Sequence, residues 1–156
     1  YNNIVLDNLQ RIESNGLHSN GFSLINDMLT KHKLFFKDVS EIMNPTHIYA
    51  NVVKDLLKSV DNIAGMAHIT GGGLPENLPR IIPKGLGIRI NYDSWQLPRI
   101  FYKIMMAGEI SPKEMKNVFN LGIGYCIVAP TESENKIHEI ITKHGYNSWT
   151  IGEVVL

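Results

Sequence analysis

The chain has 156 residues, of which 44% are hydrophobic, so it is long enough for one domain with a sizeable core. Fifteen basic residues balance fifteen acidic ones, and this balance gives no reason to expect a nucleic acid or a membrane as partner. The single cysteine, Cys126, lies in an apolar run and is expected to be a buried, inert thiol. The sequence shows no disulfide framework, long apolar stretch or signal-peptide pattern, and we therefore expect a cytoplasmic protein.

The first half of the chain predicts alternating strands and helices. The sequence opens at Tyr1 without a methionine and enters a strand-like segment over 4–12 at once, so we expect a piece of a longer polypeptide. A helix with one apolar side is predicted from about Phe22. A second helix is predicted to begin at Pro45 with Asn44 as its cap, because apolar residues then recur at helical spacing. A buried strand is expected over 63–69.

The second half continues this alternation. Ser111 and Glu114 have the spacing of a capping box and predict the start of a helix. Strands interleaved with helices in this way indicate a sheet covered by helices, in an α/β or α+β sandwich. The remaining predicted elements are a strand over 88–92, a helix over about 98–107, a strand over 123–129, a helix closed by Gly145 and a strand over 148–155.

Three consecutive glycines, Gly71, Gly72 and Gly73, follow the predicted strand, with His68 and Thr70 just before them. Glycine allows a positive φ and a close approach of the backbone to a ligand, and the N–H groups at the start of a following helix suit an anion. The spacing matches neither the Walker pattern nor the dinucleotide fingerprint. A phosphate-binding loop and a purely structural turn are therefore both open from the pattern alone.

Polar and glycine-rich blocks occur in a fixed order from about residue 7 to the end of the chain, at 14–24, 44–49, 67–73, 76–80, 94–98, 114–115, 119–124 and 149–152. They include His-Ser-Asn-Gly at 18–21 and Phe-Asn-Leu-Gly at 119–122. In this order the blocks resemble the C-terminal domain of the aminoimidazole ribonucleotide synthetase family.

The resemblance implies a fold and an activity. The fold would be one α+β domain over 1–156, a three-layer α/β/α arrangement with a mixed sheet of four to six strands. The activity would be that of a phosphoribosylformylglycinamidine cyclo-ligase, which uses ATP and Mg²⁺ to activate the formyl oxygen of formylglycinamidine ribonucleotide before the imidazole ring closes. We expect this chain to lack the family's N-terminal domain, which supplies most of the nucleotide site, the metal site and the homodimer interface. We therefore expect no turnover from this chain alone.

The resemblance also implies site residues. His18 and His68 are the candidate catalytic residues, since imidazole can carry out acid–base work in ring closure. The residues alone leave structural alternatives open: a cap and turn at 18–20, a hydrogen-bonded core histidine at His68, and a solvated helix face for the positions after the glycines. No metal ligands are expected, and the candidate substrate- or phosphate-binding residues are Ser19, Asn20, Gly21, Thr70, Gly71, Gly72, Gly73, Glu76, Asn77 and Arg80.

The chain departs from the family pattern at several positions. His47 stands where the family usually carries arginine, and a histidine cannot make the bidentate phosphate contact of an arginine. Asn26 replaces a residue that is often basic, Pro75 follows the glycines, and Leu6 precedes Asp7 where a glycine is usual. Two other classes of function stay open: another ATP-using member of the superfamily, such as formylglycinamidine ribonucleotide synthetase, selenide water dikinase or a hydrogenase maturation factor, and a non-catalytic phosphate-binding module.

Overall fold

The computed structural model describes residues 5–31, 33–34 and 40–156. The strands are β1 (Val5–Glu13), β2 (Gly65–His68), β3 (Gly87–Ile90), β4 (Ile123–Ala129) and β5 (Ser148–Val155). The principal helices are α1 (Phe22–Thr30), α2 (Ala50–Ser59), α3 (Gly73–Asn77), α4 (Arg99–Gly108), α5 (Pro112–Val118) and α6 (Glu134–Lys143). Short 3-10 turns span Leu78–Arg80 and Thr131–Ser133.

The five strands form one sheet in the order β2-β4-β1-β5-β3. The predicted α+β class and the predicted number of strands are confirmed, but the expected mixture of parallel and antiparallel pairs is wrong for the described residues. Every strand pair there is antiparallel. The reason is that β4, α6 and β5 form a crossover unit that straddles β1, so its two parallel strands never pair with each other.

Both faces of the sheet are covered, which confirms the expected three-layer arrangement. On one face, side chains such as Ile12 and Ile127 pack against α2 and α6. On the other face, Leu9 and Cys126 pack against residues of α3, the following 3-10 turn and Trp95. A separate cluster joins α1, α4 and α5 around Phe101. Cys126 is fully buried, and burial raises the pKa of its thiol, as expected for an inert cysteine.

Most predicted elements lie where the sequence places them, and β4 and β5 have the predicted boundaries. The strand predicted at 4–12 extends to Glu13, and residue 4 of that prediction lies outside the described residues. The Ser111 hydroxyl accepts a hydrogen bond from the Glu114 backbone N–H at 3.2 Å, as the capping box predicts. Within the described residues, no helix is both long and apolar enough to cross a membrane.

The predicted start of the second helix is wrong. Residues 44–48 are irregular, and α2 begins at Ala50. The Asn44 side chain does not cap a helix, because its Nδ2 donates to the Asn15 carbonyl oxygen at 3.2 Å. This irregular segment leads into Tyr49, whose side chain is buried. A tertiary contact with the loop after β1 has therefore overridden the local helix signal.

Candidate functional site

One end of the sheet gathers the loops that carry the predicted site. β1 and β2 finish at this end, and β4 and β5 begin there, because Glu13 pairs with Ile123 and His68 pairs with Tyr125. The loop after β1 carries 14–21, and the loop after β2 carries 69–73. The antiparallel topology thus brings together two blocks that lie about fifty residues apart in the sequence.

His18 is the most unusual side chain at this end of the sheet. It is 5% exposed, it has a left-handed backbone with φ of 56°, and neither ring nitrogen has a hydrogen-bond partner among the described residues. Burial, and then the neighbouring His68 and His47, lower the pKa of His18 to about 4. The ring is therefore neutral at pH 7, with one nitrogen that can donate and one that can accept a hydrogen bond.

Six rings form a contiguous group around His18, which we call the ring cluster: His18, His47, Tyr49, His68, Tyr125 and Tyr146. Tyr49 is at its centre, with its ring centroid 6.1 Å from that of His18, 5.7 Å from that of His68 and 5.6 Å from that of Tyr125. The His18 and His68 centroids are 6.1 Å apart. The Tyr49 hydroxyl donates to the Glu13 carbonyl oxygen at 2.7 Å, and burial raises the pKa of that hydroxyl. The cluster therefore holds both candidate catalytic histidines within reach of one small ligand.

The three glycines differ in what surrounds them. Gly72 and Gly73 have left-handed backbones with φ of 88° and 55°. A Cβ on Gly73 would collide with the backbone carbonyl oxygens of Lys116 and Phe119, so Gly73 is fixed by packing. Gly71 is exposed, and the nearest atom to a Cβ built there is Asn20 Oδ1 at 3.9 Å. Gly71 is therefore the glycine that leaves room for a ligand.

The Asn77 side chain forms hydrogen bonds with the backbone of the glycine loop. Its side chain is 3% exposed, and Nδ2 lies within hydrogen-bond distance of three loop carbonyl oxygens, at 2.7 Å for Gly73, 3.2 Å for Gly71 and 3.3 Å for Thr70. Its Oδ1 accepts from the Thr70 hydroxyl at 3.1 Å. The geometry gives this amide a role in shaping the loop, and a direct ligand contact by Asn77 stays a prediction.

The other predicted ligand residues lie on the rim. Ser19 is exposed beside His18, and Glu76 and Arg80 are exposed after the glycine loop. Arg80 Nη1 lies 3.5 Å from Asn77 Oδ1. The helix after the glycines, α3, has only five residues, and Pro75 in its first turn offers no N–H group. Its N-terminus is therefore a weaker anion site than the sequence predicts.

The motifs do not predict three residues of the ring cluster: Tyr49, Tyr125 and Tyr146. Tyr49 comes directly before α2, and Tyr146 lies just before β5. Tyr125 lies in β4, where it pairs with His68. This pairing is set by the sheet, so no sequence signal marks these tyrosines as site residues. In the described part of the chain, no group of three or more His, Cys, Asp or Glu side chains could hold a metal ion.

The buried, neutral His18 gives a testable pH dependence of stability. Its pKa is lowered on folding, so the unfolded chain binds more protons between about pH 4 and 6.5, and stability falls as the pH falls through that window. The control variant is His18→Asn, because asparagine tolerates a positive φ. Between pH 7 and pH 5 we expect the unfolding free energy of this variant to fall by about 1–2 kcal/mol less than that of the wild type. Urea unfolding at the two pH values measures this difference, and parallel losses in both proteins would contradict a buried neutral ring.

Comparisons with known proteins identify the family that this chain resembles. The sequence model of "AIR synthase related protein, C-terminal domain" matches residues 7–155. A phosphoribosylformylglycinamidine cyclo-ligase of Prochlorococcus marinus is 45% identical over 157 residues, covering 95% of this chain and 46% of that protein. Proteins with the same name are 45% identical over 152 residues in Pseudothermotoga lettingae, covering 92% of this chain and 44% of the relative, and 40% identical over 157 residues in a Synechococcus species, covering 95% and 46%.

The chain spans about half the length of the curated relatives that it matches. The family match extends from β1 to the end of β5, and it includes every loop that meets at the ring cluster. The chain therefore belongs to the AIR synthase related protein family, as a C-terminal domain of that family.

Proposed function

We propose that this chain is the C-terminal part of a phosphoribosylformylglycinamidine cyclo-ligase of the cytoplasm, which closes the imidazole ring of aminoimidazole ribonucleotide in purine biosynthesis. The observation that carries the proposal is the convergence of the 18–21 and 68–73 blocks on a buried histidine whose ring nitrogens have no partner in the part of the chain that the structure describes. A buried polar group without a partner costs stability and calls for an explanation, and the explanation proposed here is a ligand that completes the bonding. The names of the relatives supply the reaction.

Proton transfer is the role proposed for the two histidines. His18 is neutral, and burial also lowers the pKa of His68, so both rings can accept a proton at neutral pH. Their centroids are 6.1 Å apart, so one substrate group at the edge of the pair can contact both rings. His68 is exposed at the strand end, which makes it the better route for a proton to solvent.

Ligand binding is proposed for the polar groups around Gly71. Its exposed backbone lies beside Asn20, and the Thr70 and Ser19 hydroxyls flank the two loops. Amide and hydroxyl groups at such a backbone suit a phosphate or a ribose. The proposed ligand residues are Ser19, Asn20, Gly21, Thr70, Gly71 and Gly72, with Glu76 and Arg80 on the rim.

ATP and Mg²⁺ are proposed to be held mostly outside this chain. Bound Mg-ATP would supply the phosphoryl group that turns the formyl oxygen into a leaving group. A phosphate contact is proposed at the Gly71 backbone, but the described residues offer no three-donor cluster for the metal. We therefore assign the metal, most of the nucleotide site and the homodimer contact to the half of the relatives that this chain does not match.

The test compares this chain with a restored protein, defined here as this chain preceded by the N-terminal half of a curated relative. ADP release from Mg-ATP is measured with and without formylglycinamidine ribonucleotide. We expect substrate-dependent release from the restored protein and none from the 156-residue chain. If a folded restored protein shows no substrate-dependent ADP release, the proposal is contradicted. That result would favour another superfamily activity or a non-catalytic module.

A further inference from the structure

Asn120 joins two segments that lie 104 residues apart in the sequence. Its side chain is fully buried between the loop after β1 and the turn before β4. Nδ2 donates to the Gly16 carbonyl oxygen at 2.9 Å, and Oδ1 accepts from the Ser14 hydroxyl and from the Gly122 backbone N–H, both at 2.9 Å. Both ends of the amide are thus bonded inside the protein, and the loop is tied to the turn at its first residues.

The turn to which the loop is tied is itself held firmly. Leu121 and Gly122 have left-handed backbones with φ of 54° and 89°. The Trp95 indole N–H donates to the Leu121 carbonyl oxygen at 2.9 Å, and the Arg11 guanidinium donates to that of Gly122 at 2.8 Å. Arg11 is 3% exposed and lies 3.4 Å from the Trp149 ring centroid. The turn to which the loop is bonded is therefore held in place by side chains of other segments.

Phe119, the neighbour of Asn120, supports the other end of the same loop. Its fully buried ring fills the space beside Gly21, since a Cβ on that glycine would lie 2.7 Å from the Phe119 Cζ atom. His18 lies between these two supports, and its ring nitrogens make no hydrogen bond within the described residues. The position of the His18 ring therefore depends on the backbone path of 16–21. Contacts with residues 119 and 120 determine that path.

We propose that Asn120 is a positioning residue of the ligand site, which fixes the 16–21 loop and thereby the His18 ring without touching the substrate. This inference rests on the proposed function, because it assigns Asn120 to the same site. It differs from a general packing role, since it predicts an effect on His18 that a loss of stability elsewhere does not produce.

The most informative variant is Asn120→Asp, which keeps the size and the acceptor oxygen of the side chain. It replaces the donor to the Gly16 carbonyl with a second acceptor, so two oxygens face each other and the loop must shift. Ser14→Ala is a milder variant, because it removes only the Ser14 hydroxyl, which lies 2.9 Å from Asn120 Oδ1 and 3.0 Å from the Gly16 carbonyl oxygen, and leaves the bond from Asn120 to Gly16 intact. Thr150→Val is the matched control, since it removes a single side-chain hydrogen bond, to Glu134, beneath α6.

Two measurements are made on the restored protein: the steady-state constants for formylglycinamidine ribonucleotide, and the rate at which diethyl pyrocarbonate modifies His18, read by peptide mass spectrometry. For Asn120→Asp we expect kcat to fall about 10- to 100-fold with a smaller change in KM, because a displacement of about 1 Å is enough for such a loss. We expect His18 labelling to rise on the order of tenfold, because a loosened loop admits the reagent. Ser14→Ala should move both values in the same direction by less, and Thr150→Val should change neither.

Each remaining outcome decides the inference. A folded Asn120→Asp protein with wild-type kcat and labelling overturns it, and so does an equal loss of kcat in Thr150→Val. If Asn120→Asp does not fold, unchanged labelling in folded Ser14→Ala overturns it. If the wild-type restored protein shows no substrate-dependent ADP release, the proposed function fails, whereas the labelling rates still test whether Asn120 positions His18.

Discussion

Replacing Gly73 with alanine is expected to destabilise this domain by about 2–4 kcal/mol, which lowers Tm by roughly 5–15 °C. Two costs add. Gly73 has a φ of 55°, which a residue with a Cβ adopts only with strain, and the new methyl group would meet the backbone oxygens of Lys116 and Phe119. Backbone atoms of a packed turn cannot move aside as the end of a flexible side chain can.

Gly71→Ala is the matched control for this prediction. Gly71 has no positive φ, and a Cβ there would have ordinary contact with Asn20 only. Thermal unfolding should therefore show a Tm close to that of the wild type. If Gly71 faces the ligand, the restored protein carrying Gly71→Ala should nevertheless show a raised KM. Equal destabilisation by the two variants would contradict the distinction drawn between these glycines.

Replacing Gly124 with alanine is the second change with a large expected effect, and it acts on the ring cluster itself. The new Cβ would collide with the Tyr49 hydroxyl and lie 3.0 Å from His18 Cε1. Tyr49 would then have to leave its hydrogen bond to the Glu13 carbonyl and displace its neighbours. We expect a loss of about 2–3 kcal/mol in stability and a fall in kcat of more than about tenfold in the restored protein.

Gly87→Ala provides the comparison for Gly124→Ala. Gly87 also lies in a strand, but a Cβ there would have ordinary contacts with Val155 alone among the described residues, at 3.4 Å from its side chain and 3.9 Å from its backbone oxygen. Tm and kcat are measured for both variants, and Gly87→Ala should leave both almost unchanged. A folded Gly124→Ala protein with wild-type kcat would mean that the arrangement of Tyr49 and His18 has no part in the reaction.

Much of the fold could be predicted from the sequence because local signals agree with the packing. The capping box at Ser111 and the apolar run of β4 placed their elements correctly. The start of α2 could not be predicted, since the bond from Asn44 to Asn15 joins residues 29 positions apart. The absence of parallel strand pairs in the described sheet also depends on long-range order, because β1 inserts between two strands that a local pattern makes neighbours.

The site was only partly predictable, for a related reason. The order of the motif blocks identified the residues around His18 and Gly71, but the spacing of three glycines does not say which one faces a ligand. That distinction depends on the turn before β4, which packs against Gly73 and leaves Gly71 open. The central place of Tyr49 arises from a tertiary hydrogen bond and could not be found in a helical pattern.

The 14–24 and 67–80 segments are proposed to form one ligand site. Hydrogen–deuterium exchange of the restored protein, with and without formylglycinamidine ribonucleotide and Mg-ATP, tests it most directly. We expect ligands to slow exchange in peptides from both segments together, since bound ligands protect the backbone that they order. Substrate-dependent ADP release with protection confined to other parts of the protein would contradict it.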